Sequence, residues 1–343
     1  MRIDESPLIV GLPGPSLDAG QREVLARVRP TGVILFARNV VTAQQVRELG
    51  SSLDDLEPRP FLAVDLEGGA VNRLVGLWGT LPSPAEAAAV GRRAVRALGE
   101  AAGAGCRALG IHLDLAPVID LDCGGGFIPA QGRCLSADPE RVATLARVFN
   151  EGLAVWGVAG CLKHFPGLGA IAGDTHEELP VIPPHDQRRH IEAFAALSEE
   201  IPVVMVGHAV APGLGDADRP ATLAPSAVAQ AISLPGSPVV LCDDLEMGAL
   251  SGLGDLPDLV VDALRARNHG VLVCKAFDRL PEIISRIEEV MSSDPAFRMR
   301  LTETTARLGT LRRELCRSMA AVPMPDDQLV AQLWEDARRL AGS

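Results

Sequence analysis

The sequence predicts an α/β fold, a single (β/α)8 TIM-type barrel with extra C-terminal helices. Three observations predict it. Eight short runs rich in Val, Ile and Leu recur along the chain, helical patterns separate most of them, and polar residues collect where the runs end. Nearly continuous apolar runs suit strands covered on both faces, as in a parallel sheet. Eight strand–helix alternations with short connections favour a closed barrel over a doubly wound open sheet, which strand counting alone leaves as the runner-up. No GxGxxG or GxxxxGK[ST] follows the first run, which weakens a nucleotide-binding version of the open sheet.

In chain order the strand runs are LIVGL (8–12), GVILFA (32–37), PFLAVD (60–65), IHLDLAPVI (111–119), VAGCLKHF (158–165), IPVVMVGH (201–208), PVVLCDD (238–244) and GVLVCK (270–275). Apolar residues at helical spacing mark helices over 17–28, 42–53, 84–109, 138–156, 258–267 and 280–291. Asp138 followed by Pro139 reads as an N-cap with proline at the first helical position. The barrel core is expected over about 8–292 and the added helices over about 293–343. No Ser/Gly linker, internal repeat or low-complexity tract divides the chain, so 1–343 reads as one domain.

Composition narrows the function. With 343 residues, 47% of them apolar and 22% charged, the chain can bury a large core. Its 32 Lys and Arg against 44 Asp and Glu give a net charge of −12, which repels phosphate backbones and anionic lipid. With 3% aromatic residues and no Tyr, base-stacking platforms are an improbable reading. Neither a nucleic-acid nor a membrane partner is expected. The seven cysteines are scattered, contain no CxxC pair and sit partly in apolar runs, favouring a reducing compartment. The N-terminus lacks the basic and apolar regions of a signal peptide, and no stretch reaches ~18 uninterrupted apolar residues. A cytoplasmic protein is expected.

Barrel enzymes carry their chemistry at the C-terminal ends of the strands. Asp65 and Glu67 follow the third run, Asp120 and Asp122 the fourth, and Lys163 and His164 close the fifth. His208 ends the sixth, Asp243 and Asp244 the seventh, and Lys275 the eighth. A charge ending an apolar strand is costly unless paired or facing a solvated cleft, so six such strands point to a polar pocket at one end. Side chains alternate along a strand, so if Val239 and Leu241 fill the interior, Asp243 points inward. Asp244 then faces the helices or caps the next turn. From position alone Asp243 is a catalytic carboxylate or a structural cap, with neither preferred.

The segment KHFPGLGAIAGDTH (163–176) is more specific. A strand ends in Lys163–His164, and a loop containing Pro166, Gly167, Gly169 and Gly173 leads to Asp174-Thr175-His176. Gly-rich loops can act as lids, and an Asp two residues from a His can orient the ring and raise its basicity. An isolated DxH is more often an Asx-type turn on a surface loop.

Taken together, these stretches resemble the bacterial β-N-acetylglucosaminidases of glycoside hydrolase family 3, the peptidoglycan-recycling type. GVILFARN (32–39), AVDLEGGAVNRL (63–74), LAPVIDLD (115–122), GRCLSADP (132–139), KHFPGLGAIAGDTH (163–176), MVGHAVAP (205–212) and LCDDLEMGAL (241–250) carry the resemblance, in family order. It implies a TIM-type barrel and a retaining exo-glycosidase that releases terminal β-linked N-acetylglucosamine. The nucleophile falls on Asp243, the unusual acid/base on His176 with Asp174 as its partner, and the sugar contacts on Asp65, Arg73, Arg133, Lys163 and His164. Charge-assisted hydrogen bonds from such groups can fix a pyranose. The implied substrate is a small carbohydrate, a muropeptide or other N-acetylglucosaminide, taken by a monomer without metal or other cofactor.

This sequence departs from the family pattern at Leu66, Ala70, Cys242, Leu168 and His269. Leu168 interrupts the usual KHFPGHG. A weakly catalytic sugar sensor on the same scaffold, or a β-glycosidase or phosphorylase of different specificity, is therefore the alternative. A metal hydrolase built on His164, His176 and His208 lacks any HExxH-like spacing.

Overall fold

Each of the eight apolar runs forms a strand, and a helix follows each strand, in the computed structural model, which describes residues 3–173 and 179–342. The barrel strands are β1 (Ser6–Gly11), β2 (Pro30–Leu35), β3 (Phe61–Val64), β4 (Leu113–Asp114), β5 (Ala159–Gly160 and Leu162–Phe165), β6 (Val203–Val206), β7 (Val239–Cys242) and β8 (Gly270–Val273). The helices that follow them are α1 (Ala19–Val28), α2 (Ala43–Ser51), α3 (Arg92–Ala108), α4 (Pro139–Val155), α5 (Pro184–Ala195), α6 (Pro225–Ile232), α7 (Leu256–Arg265) and α8 (Leu280–Ser293).

The strands are parallel and neighbour one another in chain order, with Leu8 of β1 in register with Val271 of β8. The ring closes through β5, which breaks at Cys161. Its first part pairs with β4 (Ala159 against Leu113) and its second with β6 (Leu162 against Val204). The doubly wound alternative is thereby excluded.

Alternation along the strands sorts the core. Phe61 and Ala63, Val203 and Met205, Val239 and Leu241 belong to an interior cluster that also holds Ile9, Leu113 and Cys161. The helix-facing set packs in a separate, larger cluster. One step of two residues beyond the interior positions are Asp65 above Ala63, Lys163 above Cys161 and Asp243 above Leu241. The barrel interior therefore changes from hydrocarbon to charge toward the C-terminal ends of its strands.

The opposite end is plugged. Two further helices, α9 (Pro295–Ala320) and α10 (Asp327–Ala341), complete the chain as expected. Leu308, Leu311 and Leu315 of α9 enter the interior cluster from below. Trp334 of α10 is fully buried and donates its indole N–H to the Ala101 carbonyl at 3.0 Å, tying α10 to α3.

Three sequence expectations need correction. The helix over 84–109 is two helices, Pro84–Val90 and α3, separated by Gly91 at φ +123°, a conformation that breaks the helical path. Helices α5 and α6 were not anticipated: α5 is predominantly polar around a single buried stripe, and α6 is only eight residues of mostly small side chains. The run over 111–119 forms only a two-residue strand, because Pro117 has no N–H to offer a ladder. The capping expectation holds, with Asp138 accepting from the Glu140 amide and Pro139 opening α4. Among the described residues no helix is long and apolar enough to cross a membrane, and all seven cysteines are free.

Candidate active site

A cavity of about 320 Å³ opens at the C-terminal mouth of the barrel. Asp65, Arg73, Arg133, Lys163, His164 and Asp243 all line it, so the structure brings together every described residue that the family resemblance put in the site. Asp174 and His176 lie outside the described residues. Asp122 and Lys275, noted only as strand-end charges, do not line it and are exposed, with Asp122 capping the turn at the Gly124 amide.

Glu67 is the hub of the charged floor. Its Oε1 accepts from Lys163 Nζ at 2.6 Å, and its two oxygens take a bidentate pair from Arg133 Nη2 and Nε at 2.8 and 2.7 Å. Lys163 Nζ also donates to Asp65 Oδ1 at 2.7 Å. Burial alone would push the Glu67 carboxyl up, but Lys163 and Arg133 outweigh it and hold the group at about 2. The same carboxylates, Asp65 first, keep Lys163 protonated despite burial. The turn that follows runs through Gly68 at φ +95°, where a Cβ would collide with the Pro82 carbonyl.

His164 is oriented from behind by buried Asp120, which accepts from His164 Nδ1 and from the Leu168 amide, both at 2.7 Å. Burial raises the Asp120 carboxyl, yet His164 and the Leu168 amide hold it below the ordinary range. With Nδ1 so engaged, Nε2 is the ring atom left to meet a ligand. Leu168 is buried and borders the cavity, and its backbone makes the Asp120 contact whatever its side chain. Gly167, at φ +114°, lies against the His190 ring where no Cβ fits.

Asp243 and Asp244 diverge as alternation requires. Asp243 Oδ1 accepts the Asp244 amide at 2.8 Å. Burial raises its carboxyl, but His208, His164, the Asp244 amide and Lys163 together hold it below the ordinary range, so it is an anion at neutral pH. Asp244 caps the next turn, accepting from the amides of Glu246 and Cys274 at 3.2 and 3.3 Å, and also borders the cavity. Burial, then Glu246, push its carboxyl up to about 7. His208 stands behind the pair, donating Nε2–H to the Asp244 carbonyl at 2.8 Å and bonded through Nδ1 to Thr222.

Arg73 completes the wall, its guanidinium carbon 5.9 Å from the Phe36 ring centroid and its buried Nε without a hydrogen-bond partner among the described residues. A carboxylate anion, a chain of cations and acids that can grip hydroxyls, and an aimed imidazole suit attack on an activated carbon of a polyhydroxylated ligand.

Residues 10–311 match the glycosyl hydrolase family 3 N-terminal domain. The chain belongs to that family. It is a glycoside hydrolase. Among its relatives, a β-hexosaminidase of Alkalilimnicola ehrlichii is 33% identical over 88% of this chain and 89% of its own. A β-hexosaminidase of Methylococcus capsulatus is 31% identical over 82% of this chain and 86% of its own. A β-N-acetylhexosaminidase structure from Beutenbergia cavernae superimposes with a TM-score of 0.80 at 25% identity, covering 89% of this chain and 96% of that one.

Sequence reasoning did not single out Glu67 as a site residue, nor Phe36, Met205, Phe127 and Met247, which line the family 3 cavity. Glu67 had a signal, being a charge inside AVDLEGG two residues after Asp65. The four apolar residues had none, because apolar side chains beside apolar strands read as core.

Proposed function

We propose that this family 3 hydrolase is a retaining exo-β-N-acetylglucosaminidase acting on peptidoglycan-derived fragments. The observation that carries the reading is the anionic Asp243 in one cavity with the Asp65–Lys163–Glu67–Arg133 chain. The names of the β-hexosaminidase relatives support the sugar, and the resemblance in the motifs supports the cell-wall source.

In this reading the Asp243 carboxylate attacks the anomeric carbon as the bond to the aglycone oxygen breaks. His176, held by Asp174, gives that oxygen its proton. Water then attacks the glycosyl-Asp243 ester, returning a proton to His176 and freeing the carboxylate. Asp65, Lys163, Arg133, Arg73 and His164 hold the sugar hydroxyls and the N-acetyl group so that the anomeric carbon stays in line. An imidazole acid serves where most glycosidases use a carboxylic acid, because its ordinary pKa near ~6.5 already suits neutral pH.

The test is a panel of chromogenic β-glycosides, each with and without inorganic phosphate. Aryl β-N-acetylglucosaminide should be hydrolysed fastest, at a rate indifferent to phosphate. A preference for β-glucoside, or turnover that requires phosphate, would overturn the sugar or the reaction respectively. A mechanism-based fluorosugar should label Asp243, and a label elsewhere would move the nucleophile.

A further inference from the structure

A second cavity of about 380 Å³ lies at the opposite end of the barrel. Its wall includes His269, which precedes β8, whereas Cys274, just beyond the other end of the same strand, borders the catalytic cavity. Arg267, Arg300 and Arg307 all line it. In a chain of net charge −12, and among the described residues, none of these three arginines forms an ion pair. The Nε of Arg300 is buried without a hydrogen-bond partner. Arg307 donates to the carbonyls of Ser237 and Pro238, and burial pushes its guanidinium below the ordinary value. Among the described residues the one carboxylate lining the cavity is Glu303, which is exposed to water, as is Arg267.

Two further features fit a ligand rather than a vestige of packing. Arg267 stands at φ +81° just after α7, a left-handed conformation that favours glycine, yet the position holds a long cation facing the cavity. His269 accepts the Val240 amide through Nδ1 at 2.9 Å, so its Nε2–H is a donor, and Thr304 adds a hydroxyl to the same wall. Guanidiniums that form no ion pair and line one space match the several oxygens of a phosphate group. The volume exceeds what inorganic phosphate fills, leaving room for a sugar-sized neutral part that the hydroxyl and the imidazole can bond.

We propose that this lower cavity is a second binding site, for a small organic phosphate of the phosphorylated-monosaccharide class. A ligand there contacts both α9, which plugs the barrel, and the start of β8, and so clamps the plug to the wall without touching the catalytic mouth.

Calorimetric titration and thermal unfolding of the full chain with glucose 6-phosphate, inorganic phosphate and glucose test it. Glucose 6-phosphate should bind the wild type saturably at millimolar concentration and raise Tm, whereas glucose should do neither. Arg267→Gln/Arg300→Gln should weaken that binding by ~tenfold or more, the loss expected for charge-assisted hydrogen bonds. Asp243→Asn, altered in the other cavity with the fold retained, should bind as the wild type does. Arg300→Lys, which keeps the charge, serves if the double variant does not fold, and should lose only part of the affinity. Undiminished binding in the arginine variants, loss in folded Asp243→Asn, or no binding at all would overturn the site. Inorganic phosphate binding as tightly as glucose 6-phosphate would overturn its ligand class.

Discussion

The backbone N–H of Asp244 donates to the Asp243 carboxylate at 2.8 Å, joining two adjacent acids whose affinities for a proton are driven in opposite directions. Asp243 is kept below the ordinary carboxylate range by surrounding imidazoles, an amide and Lys163, whereas burial lifts Asp244 to about 7. Pushing two titratable neighbours apart is how a fold keeps one anion ready while limiting mutual repulsion.

On the proposed mechanism, in which Asp243 is the nucleophile, replacing it by Asn should lower kcat at least ~10³-fold with the fold retained. Asp244→Asn should keep substantial turnover, since Asn reproduces the neutral form and can still accept the Glu246 and Cys274 amides. Its stability has a definite sign. A carboxyl raised from its unfolded value contributes stability that is present at acid pH and lost as pH rises through about 7. Asp244→Asn should therefore unfold at a higher temperature than wild type above neutrality, and thermal scans on either side of pH ~7 would show it.

Glu67→Gln should damage both stability and turnover, because Glu67 is the hub of the charged cavity floor. It leaves Lys163 and Arg133 buried with one carboxylate fewer, and breaking a buried ion pair from one side costs on the order of 3–5 kcal/mol. Both cations should shift, so kcat/KM should fall along with stability. Chemical denaturation and steady-state kinetics on the same preparation check the pair of effects, and a normal kcat/KM in a destabilised protein would confine Glu67 to the fold.

Two histidines set an acid limit. His112 exchanges two hydrogen bonds with the Leu62 backbone, donating its amide to the carbonyl and accepting the Leu62 amide through Nδ1. His269 does the same with Val240, one half-barrel later. Burial, reinforced by nearby arginines, pushes His112 down to about 4 and His269 to about 3. Unfolded imidazoles bind protons below ~6.5, so stability is lost as pH falls from there toward 4, by at most ~1.4 kcal/mol per pH unit per ring. His112→Gln/His269→Gln should flatten that slope in denaturant titrations at several pH values. An unchanged slope would assign the acid sensitivity to Glu67 and Asp243.

The barrel was legible because buried parallel strands announce themselves as continuous apolar runs, and β1, β2, β3, β6, β7 and β8 fall where those runs lie. Strand alternation alone placed Asp243 inward, two residues beyond Leu241. Glu67 illustrates the limit. Its importance lies in two cations distant in sequence, Arg133 and Lys163, which only the closed ring brings within 3 Å. Asp120 is similar, since its role behind His164 needs β4 and β5 side by side. The lower cavity was illegible altogether, because its arginines come from the α7–β8 connection and from α9, separated in sequence by β8 and α8.

The sharpest prediction concerns His176. If the imidazole protonates the leaving oxygen, its removal should matter in proportion to how badly that oxygen needs a proton. Natural glycosides expel an alkoxide, so His176→Ala should nearly abolish their hydrolysis. A dinitrophenyl glycoside expels a stabilised phenolate, so formation of the glycosyl-Asp243 ester should be largely spared. The second step would still suffer, because the same ring must activate water, and the ester should accumulate. Rapid mixing should then show a burst of phenolate equal to the enzyme concentration, followed by slow turnover. Asp174→Asn should show the same pattern in weaker form, since it leaves the ring in place but less basic. Equal losses for good and poor leaving groups, with no burst, would remove His176 from proton transfer and return the Asp174–His176 segment to a turn.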